Sequence, residues 1–112
     1  MSKPGIAAIW CRVSTSNQRE LSLDAQEKAV RQALAQAGFE TPSKYLLKVD
    51  WTSLDLMACP QFQLLHKGIT TGEVAALGVL DRRLQAQGLQ RLVFLAECRE
   101  QGVQVITAQG VP

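Results

Sequence analysis

The strongest constraint on this chain is the run Ile6-Ala7-Ala8-Ile9-Trp10-Cys11-Arg12-Val13, which is apolar almost throughout and shows no polar alternation. A strand with one face in water alternates polar and apolar residues. A continuous apolar run predicts a strand covered on both faces, as in a parallel sheet sandwiched by helices. Val74-Ala75-Ala76-Leu77-Gly78-Val79-Leu80 has the same character. Tyr45-Leu46-Leu47-Lys48-Val49, ending at Asp50, and Val103-Gln104-Val105-Ile106-Thr107 read as two further strands.

Helical stretches separate these runs. Ser22 stands where an N-cap belongs, with Asp24 in the first turn to meet the helix dipole, and Gly38 is placed to end the helix. Leu23, Val30, Leu34 and Ala37 share its inner face, flanked by Ala29 and Ala33; Ala25 rules out a capping box. Pro60 suits the first turn of a second helix, with Phe62, Leu65 and Ile69 inward and Gly72 closing it. A third helix is expected from about Leu84 to Gln101, with Leu89, Leu92, Val93 and Ala96 inward and Gly102 closing it. The βαβαβαβ order implies one domain over residues 1–112: α/β, three-layer α/β/α, with a mainly parallel four- to five-stranded sheet and right-handed crossovers.

Composition narrows the class further. The 112 residues are 46% hydrophobic and 20% charged, as in an ordinary globular domain. No apolar run approaches the roughly 18–20 residues that span a bilayer, and Ile6 to Trp10 is too short for a signal-peptide core. A cytoplasmic location is expected. Cys11, Cys59 and Cys98 are widely spaced, form no CxxC pair and have only His66 for company, against a disulfide framework or a zinc site. Cys11, Cys98 and Trp10 read as core, His66 as a surface residue, and Trp51 as a loop residue packed on the domain.

In a parallel sheet, function gathers outside the carboxyl ends of the strands. Those edges are Arg12–Gln18, Asp50–Ser53, Asp81–Arg83 and Thr107 onward. Arg12 stands out, because an arginine inside an apolar strand needs a partner or an anionic ligand. Arg12-Val13-Ser14-Thr15-Ser16-Asn17-Gln18 followed by Ser22-Leu23-Asp24-Ala25-Gln26 resembles the signature of serine recombinases, the resolvase and invertase family. Asp50-Trp51-Thr52-Ser53 resembles the family's Asp-x-x-Ser motif. Gly72-Glu73-Val74 precedes the third strand as in the family, and Asp81-Arg82 resembles the start of its Asp-Arg-Leu-x-Arg motif.

The resemblance implies a resolvase-like catalytic domain that exchanges DNA strands through a 5′-phosphoserine intermediate, with neither metal nor other cofactor. Ser14 would be the nucleophile, and Arg12 and Arg82 would clamp the phosphate, since planar guanidinium forks match its oxygens. Asp81 would act as general acid or orient an arginine. Gln18, Gln26 and Ser53 would position the phosphate and the surrounding loop, and Arg83 is the clamp if the motif is read in its other register.

The departures fall on the catalytic positions. Cys59 precedes Pro60 where the family has arginine, and Leu54 follows Ser53 where the family has glycine. Read forwards, Arg83 replaces the motif leucine and Gln85 its last arginine. Read backwards from Gly102-Val103, Arg82 replaces the aspartate, Arg83 is the clamp, Leu84 matches and Ala86 replaces the last arginine. Both registers lose the final arginine, so at least two catalytic arginines are gone. A lost clamp of this kind is worth roughly 3–4 kcal/mol of transition-state stabilisation. The expectation is an impaired copy. Cys59 admits two readings, a drifted neutral position or a thiol made reactive by nearby arginines.

The family's long dimerisation helix and separate DNA-binding domain have no counterpart here, so the chain reads as a truncated catalytic domain. A net charge of +2 releases few counterions, and DNA held through its phosphate backbone is an expected but weak partner. A homo-oligomer, or pairing with a related recombinase, is the expected assembly. The alternative is a non-catalytic resolvase-like interaction or regulatory module. A flavodoxin- or receiver-like phosphate binder ranks below both, because no glycine-rich phosphate loop follows the first strand.

Overall fold

A computed structural model describes residues 5–13, 22–50, 56–80 and 89–108. The elements are β1 (Ile6–Val13), α1 (Leu23–Gln36), a 3-10 turn at Ser43–Tyr45, β2 (Leu46–Asp50), a 3-10 turn at Leu56–Ala58, α2 (Pro60–Thr70), β3 (Val74–Val79), α3 (Leu89–Glu100) and β4 (Gln104–Thr107). The strands form one sheet in the order β2-β1-β3-β4, and every pairing is parallel. This is the α/β architecture that the unalternating runs imply.

Local chemistry accounts for the element boundaries. The Ser22 hydroxyl accepts the Ala25 N–H at 3.1 Å and so satisfies one orphan donor of α1. Gly38 takes φ +85°, which turns the chain out of the helix. Pro60 begins α2, where its missing N–H costs nothing. The second strand starts one residue later than its sequence suggests. Tyr45 closes the 3-10 turn through an N–H bond to the Pro42 carbonyl, and its buried hydroxyl donates to the Glu73 carboxylate. Burial and that carboxylate push the phenol up to about 12.

Strand alternation divides the core into two layers. Ala7, Ile9, Cys11 and Ala76 pack with Val30 and Leu34 of α1 on one face. Gly78 lets α1 come close, since a Cβ there would stand 2.6 Å from Val30 Cγ1 and 2.7 Å from Leu34 Cδ1. On the other face Ala8, Trp10, Leu47, Val49, Leu77 and Val79 meet α2 and α3. An aromatic chain ties that layer together. Trp10 packs edge-on to Phe62 at 5.5 Å between centroids, and Phe62 lies 4.8 Å from Phe94. Cys11 and Cys98 are both buried, and burial pushes their thiols to about 12 and about 11, as suits inert core groups.

Three sequence expectations need correction. The inner face of α3 is Phe94 and Cys98 with Leu95 beside them, not the Leu92, Val93 and Ala96 stripe; Leu92 is 55% and Val93 48% exposed, and Ala96 is exposed too. Residues 92–96 are all apolar, so periodicity cannot choose a face, and the Phe62 ring chooses it by stacking on Phe94. Ala37 is an exposed C-cap rather than a core residue, because α1 ends at Gln36. His66 is partly buried, its Nε2 lying 2.7 Å from Glu97 Oε2 across the α2–α3 contact. Among the described residues, no helix is long and apolar enough to cross a membrane.

The corrected helix face yields a direct test. Phe94→Ala is expected to lower unfolding free energy by about 3–5 kcal/mol, and Leu92→Ala by less than about 0.5 kcal/mol. Urea denaturation of both variants measures this, and equal losses would contradict the observed face.

Candidate functional site

The strand order sets the place where chemistry can occur. From β1 the chain crosses through α1 to β2 on one side, and β3 then takes the opposite side of β1. Beyond the carboxyl ends of β1 and β3, ligands of parallel sheets characteristically sit at this switch point. Val13, the last residue of β1, and Leu80, which follows β3, flank it. Of the site residues expected from sequence, Arg12 and Gln26 belong to the described structure. Ser14, Gln18, Ser53, Asp81, Arg82 and Arg83 lie outside the described residues, as does Trp51.

Arg12 is only 7% exposed, at the penultimate position of β1. Alternation puts its side chain on the Trp10 face of the sheet, the layer covered by α2. Its peptide is held in an unusual way. The pairing of β1 with β2 continues to Val13↔Asp50, whereas the pairing with β3 stops at Trp10↔Val79. Gln26 of α1, fully buried, takes over from there. The Arg12 N–H donates to Gln26 Oε1 at 3.3 Å, and Gln26 Nε2 donates to the Arg12 carbonyl at 3.1 Å. A primary amide offers the same donor and acceptor as a peptide, so this side chain extends the ladder that the shorter β3 leaves incomplete. The glutamine expected to serve the site thus meets Arg12 through its backbone.

A charged bracket surrounds the start of α1. Lys48 Nζ, on β2, lies 2.7 Å from Asp24 Oδ1 and 2.9 Å from Glu27 Oε1. Arg31 Nε reaches Glu27 Oε2 at 2.7 Å. The Lys48 and Arg31 bonds hold the Glu27 carboxyl below its ordinary value of about 4.5, and Lys48 is raised in turn by Asp24 and Glu27. This bracket is not legible in the sequence, since Lys48 stands 24 residues from Asp24 and 21 from Glu27. Its local signal is a lone lysine within the apolar run Leu46–Val49, at an outward register between Leu47 and Val49.

Cys59 occupies the N-cap position of α2 and is fully buried in the same layer as Trp10 and Phe62. Its Sγ lies 3.3 Å from Gln61 Oε1. A thiol enclosed in that core presents no nucleophile to solvent, which removes the reactive-thiol reading.

Two outcomes follow from this geometry. Gln26→Met strips both partners from the buried Arg12 peptide and is expected to cost about 1–3 kcal/mol of stability by urea denaturation; a neutral effect would mean that the bonds carry no stability. Glu27 has a folded pKa below its unfolded one. Its contribution is therefore present above the unfolded value and vanishes as pH falls through the folded one. The Tm advantage of the native chain over Glu27→Gln should be largest near neutrality and disappear on acidification below the carboxylate range; an advantage that persists there would contradict it.

Comparison with known proteins agrees with the topology. No curated protein matches the chain. A family model described as the resolvase N-terminal domain matches residues 7–111, from the start of β1 past the end of β4. With that match across nearly its whole length, a parallel sheet in the order β2-β1-β3-β4 and an arginine buried at the switch point, the chain belongs to the resolvase N-terminal domain family, the catalytic-domain family of serine recombinases.

Proposed function

We propose that this domain handles a DNA phosphodiester at the carboxyl edge between β1 and β3, by the strand-exchange chemistry of its family, and that its turnover is impaired. One observation carries the reading. Arg12 is a buried arginine at the carboxyl end of β1, beside the switch point and two residues before Ser14, with its peptide pinned by Gln26. A planar guanidinium fork matches the oxygens of a phosphate, so a phosphodiester is the ligand class this position would suit.

In the proposed reaction the Ser14 hydroxyl attacks the phosphorus of the scissile phosphodiester. The Ser14 oxygen–phosphorus bond forms, the bond to the 3′ oxygen breaks, and the leaving strand takes up a proton to become a 3′-hydroxyl. The product is a 5′-phosphoserine link. Because one phosphate ester replaces another, the bond energy is kept for rejoining. Charge that builds on the phosphoryl oxygens would be met by Arg12 and by Arg82 or Arg83. Asp81 would supply the proton or orient an arginine, and Gln18 and Ser53 would position the phosphate.

The impairment is argued from Cys59. Where the family carries an arginine, this chain has a small thiol absorbed into the core, so that position offers no positive charge to a phosphate. Loss of one clamp costs about 10²–10³ in rate, and the third-strand motif lacks another. The alternative, a non-catalytic module that pairs with an active relative, draws on the same observation, since the fold survives while the charge is gone. Mixed oligomers formed with an intact relative would favour that alternative.

The test is covalent trapping on a nicked recombination site, read as a denaturant-resistant protein–DNA adduct. The unmodified chain should give little adduct. Cys59→Arg combined with Gln85→Arg or Ala86→Arg should raise the yield at least about tenfold, and Ser14→Ala should abolish it in every background. Adduct formation by the unmodified chain at the rate of an intact relative would refute impairment. Absence of any Ser14-dependent adduct in the repaired chains, confirmed as folded, would refute the recombinase reading.

A further inference from the structure

We propose that Lys48 is a positioning residue for this site: by bridging Asp24 and Glu27 it sets the distance between the first turns of α1 and the sheet at which the Gln26 amide closes on the Arg12 peptide. The proposal rests on the functional reading above and adds a residue to it.

The geometry supplies the reason. Gln26 lies between the two carboxylates in sequence, and Lys48 pairs in register with Cys11, one step before Arg12. Lys48 and Gln26 therefore grip the same two turns of α1, one through charges at the rim and one through the buried amide. The Arg12 N–H bond to Oε1 spans 3.3 Å, already at the long end of the useful range. Displacement of α1 by a few tenths of an ångström would break it. Ser22 caps the same helix start through its bond to the Ala25 N–H, so one turn of α1 carries both the cap and the amide that holds Arg12. The Lys48 pairs lie at the rim, with Asp24 almost fully exposed and Lys48 and Glu27 partly buried, and rim pairs of this kind add only modestly to global stability. That makes a local effect separable from a global one.

Amide hydrogen exchange and side-chain amide resonances of the labelled chain test this directly. In Lys48→Met the Arg12 amide should exchange at least about tenfold faster and the Gln26 side-chain resonances should move. The Ala76 and Leu77 amides on β3 should keep their protection, and Lys48→Arg should restore Arg12. Glu27→Gln, which removes one arm of the bridge with an isosteric side chain, should shift the same two probes in the same direction. Unchanged Arg12 exchange in both variants would overturn the proposal. So would uniformly faster exchange across the sheet, which would mark Lys48 as a general stabiliser. These readouts involve no DNA chemistry, so failure to trap an adduct on Ser14 counts only against the functional reading. In a repaired chain that does form the adduct, Lys48→Met should slow attachment without weakening DNA binding, and an unchanged rate would overturn the proposal.

Discussion

Strand β1 must be hydrogen-bonded along both edges for its whole length, because it is buried on both faces and water cannot satisfy its peptides. β2 meets this need on one side as far as Val13. On the other side β3 runs out at Val79, opposite Trp10. The remaining demand at Arg12 falls to the Gln26 amide, which brings α1 down onto the end of the strand. The start of α1 and the bracket of Lys48 with Asp24 and Glu27 lie beside that arrangement. The mismatch between the paired lengths of β2 and β3 along β1 thus creates the need for the glutamine.

The opposite layer shows how a core can absorb a position that the family uses for chemistry. Cys59 stands at the start of α2, in the layer of Trp10, Phe62 and Phe94. A guanidinium at that point would have to carry its charge out of the core, whereas a thiol is small enough to be enclosed. The fold then gains a packed helix start with no charge at that position.

Much of the architecture was legible because its signals are local and strong. Unalternating runs marked the strands, Ser22, Pro60, Gly38 and Gly72 marked helix limits, and Arg12 was conspicuous as a charge inside an apolar strand. The face of α3 was not legible, since five consecutive apolar residues present no unique stripe and only the Phe62 ring distinguishes among them. Nor was the task of Gln26, whose resemblance to a family position indicates importance but not that its amide completes a strand ladder. Lys48 sits far from Asp24 and Glu27 in sequence, so their meeting waited on the α1–β2 crossover.

By itself the order of residues determined the element types and the parallel character of the sheet. Each of these follows from short-range periodicity, capping and the handedness of crossovers. Tertiary structure alone decided which side of α3 is covered, how the Arg12 peptide is satisfied, and that Cys59 belongs to the core. Those outcomes depend on strand lengths and side-chain volumes meeting across elements distant in the chain, and no local pattern encodes such distances.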